Sequence, residues 1–173
     1  MKIKYFAEIS TPKRGTPQSA GFDLVCCMKG APLQGFNSRN EPISVEIHGG
    51  GKHTNYVLIP PRSLLLMPTG FYTDASEAIE FAWFAVAIRS GTAWNKGLQL
   101  GNGIAVIDQD FRKQWHLIIY NPMDVEVRID NFERLAQFVP LPSLDIQLEA
   151  VLSLEEITKS ETDRKGGFGS TGK

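Results

Sequence analysis

Two short polar segments carry residues that could act on a phosphate compound. Arg89-Ser90-Gly91 follows an apolar run and offers a guanidinium, a hydroxyl and backbone N–H groups together. Asp108 follows a second apolar run, where a semi-buried, oriented carboxylate could act as a general base towards water. The alternatives are an ordinary strand-to-loop exit at Arg89, and turn residues bonding their own backbone at Asp108 and Asp110.

The glycine-rich C-terminus is a further candidate phosphate-binding segment. It contains Arg164, Phe168, Gly169, Ser170 and Thr171. A guanidinium, hydroxyls and backbone N–H groups can cradle a phosphate, and a ring can stack on a base. A disordered polar tail is the competing interpretation, because this composition buries little apolar surface. The pattern is not a P-loop, since no strand precedes it and no helix follows it.

Two other segments contain polar residues that could bind a ligand. Asp23 lies amid apolar residues in 20–24, where it could hold a hydrated cation or cap a turn. Arg134 and Gln137 lie in 133–137, a segment that indicates little on its own. The chemistry of these residues therefore depends on what the fold brings beside them.

The bulk composition limits the class of protein. The 173 residues suffice for one domain with a core, and 42% hydrophobic and 21% charged residues are typical of a soluble globular protein. A net charge of −1 argues against a general nucleic-acid binder, although a small phosphate ligand remains possible. Adjacent Cys26 and Cys27 do not suit a disulfide scaffold, and a reducing cytoplasm is expected. No apolar run is long enough to span a bilayer, so no membrane partner is expected.

Short β-like runs punctuated by Gly, Pro, Asn and Asp predict an all-β sandwich or barrel. Strands are predicted at residues 64–67, 81–88, 115–120, 125–129 and 135–139. The run 81–88 is apolar throughout, which predicts a strand buried on both faces. Residues 104–115 predict a β-hairpin with an Asp-rich turn. The candidate helices are residues 76–80 and 154–159.

Residues 29–56 form the longest stretch that the pattern predicts to be irregular. The stretch holds several glycines and prolines, and Gly49-Gly50-Gly51 predicts a flexible loop tip. It is longer than an ordinary connection between strands.

In this order, the polar segments resemble the motifs of the trimeric dUTPases. The five motifs match, in chain order, residues 20–24, 89–91, 102–112, 134–137 and 164–172. The sequence Gly167-Phe168-Gly169-Ser170-Thr171-Gly172 is the most specific of these matches. The resemblance covers nearly the whole chain except residues 29–56, which look like an insertion before the strand at Leu58.

The resemblance implies an all-β subunit with a distorted jelly-roll or β-clip fold. Residues 1–159 would form this domain, with the insertion at 29–56, and residues 160–173 would form a flexible glycine-rich arm that closes an active site. The implied protein is a cytoplasmic homotrimer whose active sites are shared between subunits. It would hydrolyse dUTP to dUMP and pyrophosphate with Mg²⁺, which keeps uracil out of DNA and supplies dUMP for dTMP synthesis. No nucleic-acid or membrane partner is implied.

The resemblance also implies roles for individual residues. Asp108 would activate the water that attacks the α-phosphorus, and Asp23 would assist Mg²⁺ through a water. The residues expected to receive uracil and deoxyribose are Asn102, Val106, Ile107, Phe111 and His116. The residues expected to hold the phosphates are Arg89, Ser90, Gly91 and Gln137, with Arg164, Gly169, Ser170 and Thr171 of the arm. Phe168 would lie over the uracil. Phe111 stands where the family usually has Tyr, so it keeps the ring and lacks the hydroxyl.

Two rival functions remain open. A deaminase of the same fold acting on dCTP would need a Glu in place of the hairpin Asp, and position 108 is Asp. A protein of this fold whose main task is to bind a partner protein could use residues 29–56 as its contact surface. The intact Asp108 and arm favour the diphosphatase over both rivals.

Overall fold

The computed structural model describes residues 3–9, 11–51, 53–76, 82–144, 146–153 and 156. The chain divides into two units, Met1–Ser143 and Leu144–Lys173. In the described residues, all thirteen strands and the one named helix belong to the first unit. The all-β prediction is confirmed.

The strands are short, as the frequent turn residues predict. In chain order the elements are β1 (Lys4–Ala7), β2 (Phe22–Val25), β3 (Leu33–Phe36), β4 (Pro42–Val45), β5 (Tyr56–Ile59), β6 (Ser63–Pro68), β7 (Phe71–Asp74), β8 (Ala82–Ile88), α1 (Ser90–Lys96), β9 (Gln99–Leu100), β10 (Ala105–Ile107), β11 (His116–Asn121), β12 (Val127–Asp130) and β13 (Arg134–Pro142). The five predicted strands correspond to β6, β8, β11, β12 and β13.

Two larger sheets make up most of the first unit. One has the strand order β10-β8-β13-β2 and the other β4-β3-β6-β11-β9, and two-stranded ladders join β1 to β7 and β12 to β5. Every ladder is antiparallel. Neighbouring strands are mostly distant in sequence, so the sheets are held by non-local pairing.

An aromatic cluster fills the core. Trp115 is 1% exposed, and its ring lies 5.0 Å from Phe71, 5.1 Å from Phe84 and 5.3 Å from Phe138, measured between centroids. Each such contact contributes about 0.5–1.5 kcal/mol beyond the area that it buries. Phe84 and Phe138 belong to the four-stranded sheet, so the cluster fixes β8 and β13, the two central strands of that sheet.

The prediction that residues 29–56 are irregular is wrong for residues 33–36 and 42–45. β3 and β4 lie within this stretch, and β3 pairs with β6 and so joins the five-stranded sheet. Gly35 permits this pairing, because a Cβ at that position would overlap the Leu64 carbonyl oxygen. One of the glycines that made this stretch look irregular is therefore what lets β3 approach its neighbour.

The predicted β-hairpin at 104–115 is also wrong. β10 pairs with β8 in one sheet, whereas β11 pairs with β6 and β9 in the other. The connection between β10 and β11 therefore crosses from one sheet to the other. Trp115 lies at the end of this connection and is buried in the core. Its burial fixes the start of β11 away from β10, so the hairpin that sequence proximity suggested does not form.

β8 is buried on only one of its faces in the single chain. Phe84 and Val86 are fully buried, whereas Trp83, Ala85 and Ala87 on the opposite face are only half-buried. The prediction of burial on both faces is therefore wrong for this chain taken alone. The apolar residues of the second face remain available for contact with another molecule.

Helix α1 was not predicted from the sequence. It follows β8 directly and ends at Gly97, which has a left-handed φ of 66° and donates its N–H to the Ala93 carbonyl. The helix candidates 76–80 and 154–159 lie largely outside the described residues. Within the described part of the chain, no helix has the length and apolar character needed to cross a membrane.

The N-terminal strand is connected to the start of the 29–56 stretch by polar contacts. Glu8 forms an ion pair with Lys29 and accepts a hydrogen bond from the Tyr72 hydroxyl at 3.2 Å. The hydrogen bond from Lys29 is the main cause that lowers the pKa of Glu8. Cys26 and Cys27 are both buried, and burial raises the pKa of Cys26 to about 12.

Candidate active site

Asp23 binds two arginines that belong to two other predicted motifs. Its Oδ1 lies 3.0 Å from Arg89 Nε, and its Oδ2 accepts a hydrogen bond from Arg134 Nη1 at 3.0 Å. The Asp23 side chain is 17% exposed, and those of Arg89 and Arg134 are 31% and 59% exposed. One carboxylate therefore orients two guanidinium groups and leaves the cluster with a net positive charge.

The central strands of the four-stranded sheet bring these residues together. Gln137 on β13 pairs with Asp23 on β2 and with Ala87 on β8. Arg89 directly follows β8, and its backbone N–H donates to the Leu135 carbonyl at 2.9 Å. Residues of the first, second and fourth motifs therefore converge at one end of this sheet, which places the two predicted phosphate ligands Arg89 and Gln137 close together.

Ser90 and Gly91 form the first turn of α1 beside this cluster. Arg89 is the N-cap residue of the helix and makes no side-chain capping bond, because a guanidinium has only donors and cannot accept from backbone N–H groups. Its guanidinium pairs with Asp23 instead. A Cβ at Gly91 would meet nothing within 4 Å, so the space in front of this turn is open. The hydroxyl of Ser90 and the first backbone N–H groups of the turn are thus accessible donors for an anion.

Asp108 lies at the opposite end of the same sheet. The pairing of Ile107 with Phe84 places Asp108 beside Trp83, six residues from Arg89 along β8. At the rise of a β-strand this separation is about 20 Å. Asp108 is exposed in the single chain, so the expectation of a semi-buried carboxylate is wrong here. Its backbone carbonyl accepts a hydrogen bond from the Phe111 N–H at 3.2 Å, within the turn that leaves β10.

The predicted nucleoside-binding residues do not form a closed pocket within one chain. Asn102 is exposed in the turn before β10, on the Arg89 side, and Phe111 is exposed beyond Asp108. On β10 itself, Val106 is 58% exposed and Ile107 is half-buried. His116 is exposed at the start of β11, in the other sheet. A complete pocket for a nucleoside would therefore need further walls.

An apolar surface joins the two ends of the four-stranded sheet. Val106 pairs with Ala85, which pairs with Val139, and Trp83 pairs with Leu141 in the next row. These side chains share the outward face of the sheet and are partly or fully exposed. Because alanine is small, another chain could approach the sheet closely at its centre.

The residues near Asp23 can be compared with the ligands that a divalent cation requires. Among the described residues, no group of three or more His, Cys, Asp or Glu side chains could hold a metal ion. Both Asp23 oxygens bind arginine, but a carboxylate has about four acceptor positions and can still accept a bond from water. Mg²⁺ characteristically keeps several waters and binds through substrate phosphates. The residues therefore fit a phosphate-bound Mg²⁺ that Asp23 contacts through water.

The fold and the cluster define an all-β protein with an arginine-rich surface suited to an anion. The model of the dUTPase family matches residues 52–172 of this chain. The deoxyuridine 5'-triphosphate nucleotidohydrolase of Polynucleobacter asymbioticus is 32% identical over 162 residues, which cover 94% of this chain and 88% of that protein. The chain belongs to the dUTPase family, which confirms the resemblance seen in the motifs.

Solved structures support the same fold. The dUTPase of Staphylococcus bacteriophage 80alpha with dUPNHPP is similar with a TM-score of 0.68, covering 99% of this chain and 98% of that one at 19% identity. A dUTPase variant from phage phi11 of S. aureus, described with a structural Mg(II) ion, has a TM-score of 0.62 and covers 90% of this chain and 99% of its own at 16% identity. The distorted jelly-roll or β-clip prediction is confirmed.

The structure groups some predicted site residues and separates others. It brings Asp23, Arg89 and Gln137 together and holds Asp108 at the far end of the sheet. Arg164, Phe168, Gly169, Ser170 and Thr171 lie outside the described residues, so their roles stay predictions. The binding of Arg134 to Asp23 was missed, although the position of Arg134 in the fourth motif was a signal for it.

Proposed function

We propose that this protein is a dUTP diphosphatase that hydrolyses dUTP to dUMP and pyrophosphate. The observation that carries the proposal is the convergence of Asp23, Arg89 and Gln137 at one end of a sheet in a chain of the dUTPase family. These are the residues that the motifs assign to the phosphates and their metal. The activity would keep uracil out of DNA and supply dUMP for dTMP synthesis.

The phosphate end of the site binds and orients the triphosphate. The guanidinium of Arg89, the hydroxyl of Ser90, the backbone of Gly91 and the amide of Gln137 donate hydrogen bonds to phosphate oxygens. Donors held in fixed positions stabilise the charge that develops on the leaving group without reorganising during the reaction. Asp23 contributes here by holding Arg89 in place.

Asp108 acts as the general base. Its carboxylate takes a proton from a water molecule as the water oxygen attacks the α-phosphorus. The bond from the α-phosphorus to the bridging oxygen breaks, and pyrophosphate leaves with the electron pair. A positioned base of this kind typically contributes about 10²- to 10⁴-fold to the rate.

Mg²⁺ is the cofactor that fits this donor set. Bound to the phosphates, it would polarise their oxygens and neutralise charge on the departing pyrophosphate. Asp23 would contact it through a water molecule, using an acceptor position that the two arginines leave open.

The nucleoside end selects uracil and deoxyribose. Backbone groups near Asn102, Val106, Ile107 and His116 form hydrogen bonds with the edge of uracil. Cytosine is rejected, because it would leave buried polar groups unpaired and so raise the free energy of binding. The Phe111 ring packs on the sugar and blocks a 2′-hydroxyl. Lacking the usual tyrosine hydroxyl, Phe111 makes this contact through packing alone.

A homotrimer with shared active sites is the assembly that the geometry supports. Asp108 and Arg89 are about 20 Å apart along one chain, so a substrate that needs both must take them from two chains. The apolar face of Val106, Ala85 and Val139 between them is suited to contact with a second copy.

The arm at 160–173 closes the site from another subunit, with Phe168 over the uracil. The domain at 1–159 carries residues 29–56 as an insertion, and the protein works in the cytoplasm.

A substrate comparison tests this function. Purified protein with Mg²⁺ should release pyrophosphate from dUTP, and much more slowly from dCTP, dTTP and UTP. Comparable rates on dCTP or dTTP would contradict uracil selectivity. Release of ammonia from dCTP would instead identify the deaminase, which the Asp at position 108 argues against.

A further inference from the structure

The connection from β10 to β11 is attached to strand β7 and the residue after it by side-chain hydrogen bonds. Near its start, the Gln109 side chain donates to the Ala75 carbonyl at 2.7 Å. Near its end, the Gln114 side chain donates to the Tyr72 hydroxyl at 3.0 Å. Phe111 lies between these two points and is exposed. The position of its ring therefore depends on how firmly the connection is held.

The bond from Gln114 continues into a chain of hydrogen bonds that ends on a carboxylate. The Tyr72 hydroxyl, which accepts from Gln114, donates to Glu8 Oε1 at 3.2 Å. An amide N–H only donates and an ionised carboxylate only accepts, so the direction of both bonds is fixed. These three residues form a relay from the connection to the end of β1. Glu8 also pairs with Lys29, the first residue of the 29–56 stretch.

The relay is better shielded from water than the ion pair beside Phe111. The Glu8 side chain is 14% exposed. The ion pair joins Arg112 Nε to Asp74 Oδ1 at 3.4 Å, and the Arg112 side chain is 58% exposed. Solvent screens exposed ion pairs, whereas the bonds of a shielded, charge-assisted chain strengthen one another. The relay is therefore the stronger of these two constraints on the connection.

The 29–56 stretch begins beside the same part of the molecule. A cavity of about 270 Å³ has Lys29 and Gln34 in its lining, together with Gln114 and His116. The His116 ring Nδ1 lies 3.1 Å from the Gln114 carbonyl oxygen. The start of this stretch thus lies next to residues of the nucleoside end and is joined to the relay through Lys29.

We propose that Glu8 is a positioning residue for the nucleoside end of the site. It fixes the Tyr72 hydroxyl, which fixes Gln114, and the connection then holds the Phe111 ring against the sugar. A connection free to move would let this ring yield to a 2′-hydroxyl, so the relay sets how strongly ribose is rejected. The inference rests on the proposed function, because it concerns selection of the same substrate.

Tyr72→Phe tests the relay, because it removes the hydroxyl and keeps the ring that packs against Phe6. The measured quantity is selectivity, the ratio of kcat/KM for dUTP to kcat/KM for UTP. We expect Tyr72→Phe to lower this ratio about 3- to 10-fold, the effect of losing one hydrogen bond. A variant that is merely less stable contains less folded enzyme, which lowers both kcat/KM values equally and leaves the ratio unchanged. Tyr56→Phe is the matched control and should keep wild-type selectivity, because it removes the hydroxyl of another half-buried tyrosine on a strand.

Hydrogen exchange measures the same constraint without substrate. The amides of residues 109–114 should exchange at least about threefold faster in Tyr72→Phe than in wild type, and at the wild-type rate in Tyr56→Phe. Either unchanged exchange or selectivity of Tyr72→Phe within about twofold of wild type would overturn the proposal. If wild-type protein fails to cleave dUTP, the proposed function fails, and exchange still tests the relay. A wild-type preference for dUTP over UTP that Tyr72→Phe retains contradicts only this inference.

A double variant tests whether Glu8 acts through Tyr72. Glu8→Gln keeps the shape of the side chain and removes the charge that faces Tyr72 and Lys29, so selectivity should again fall about 3- to 10-fold. In Glu8→Gln/Tyr72→Phe the loss should equal the larger of the two single losses, because both changes break one relay. Losses that multiply in the double variant would show that Glu8 acts independently of Tyr72 and would refute its positioning role.

Discussion

Mixing two inactive variants should restore activity if each active site takes Asp108 and Arg89 from different chains. Asp108→Asn removes the base, and Arg89→Gln removes a phosphate ligand, so each variant alone should be inactive. In one chain Arg89 follows the end of β8, whereas Asp108 follows β10 and lies beside the start of β8, about 20 Å away. A site that combines an intact Asp108 with an intact Arg89 can therefore form only where two different variant chains meet.

The expected recovery follows from random assembly. A site is intact when its Asp108 comes from an Arg89→Gln chain and its Arg89 comes from an Asp108→Asn chain. With equal amounts of both chains, each condition is met in half of the cases, so about one quarter of all sites are intact, which corresponds to about one third of the sites in trimers that contain both variants. If both residues instead came from the same chain, no site would be intact at any mixing ratio.

The assay uses co-expressed variants that carry different affinity tags. Mixed trimers are purified through both tags, their size is checked by gel filtration, and pyrophosphate release is measured per active site. The double variant Asp108→Asn/Arg89→Gln, co-expressed with Asp108→Asn, is the control that cannot recover. Correctly assembled mixed trimers with no more activity than this control would refute the shared site.

Three further predictions test the base, the arm and the fold. Asp108→Asn should lower kcat about 10²- to 10⁴-fold with little change in KM, and steady-state kinetics giving near-wild-type kcat would remove Asp108 from its role. Deleting 164–173 should abolish turnover and leave the melting temperature unchanged, whereas a matching loss of melting temperature would make the arm structural. Gly35→Ala should lower the free energy of unfolding by more than about 2 kcal/mol, because its Cβ overlaps a backbone carbonyl, while at Gly50 a Cβ meets nothing within 4 Å. If chemical denaturation gave the same free energy of unfolding for Gly35→Ala and Gly50→Ala, this result would contradict the close approach of β3 to β6.

Strands with a strong local pattern were predictable from the sequence. Residues 125–129 alternate with period two, and β12 occupies Val127–Asp130. The run 64–67 lies between turn residues, and β6 occupies Ser63–Pro68. The alternation carries the information in the first case and the flanking turn residues carry it in the second. Helix α1 was not predicted, because Ser90-Gly91-Thr92 has weak helix propensity and closely follows a strand.

The strand β3 and the path from β10 to β11 depend on pairing between residues far apart in sequence, so they could not be predicted from the local pattern. β3 contains a glycine and follows a proline, and it becomes a strand because β4 and β6 pair with it. Residues 104–115 suggested a hairpin because two apolar runs are adjacent in sequence. β10 pairs instead with β8, and burial of Trp115 in the core sends the next strand to the other sheet.

The candidate site was also only partly predictable from the sequence. Residue types and motif order identified Asp23, Arg89, Gln137 and Asp108 as candidates. Their arrangement depends on register across strands far apart in sequence, so neither the distance from Asp108 to Arg89 nor the binding of Asp23 to two arginines was visible. The register shift between Arg134 and Ala136 is likewise a property of the β13–β2 pairing and has no signature in the local pattern.

Isotope labelling tests the central claim most directly. Purified protein, Mg²⁺ and dUTP are combined in water enriched in ¹⁸O, and the products are separated and analysed by mass spectrometry. Attack of an Asp108-activated water on the α-phosphorus predicts one heavy oxygen in dUMP and none in pyrophosphate. Heavy oxygen in pyrophosphate with unlabelled dUMP, or no cleavage of dUTP by correctly assembled protein, would contradict the account.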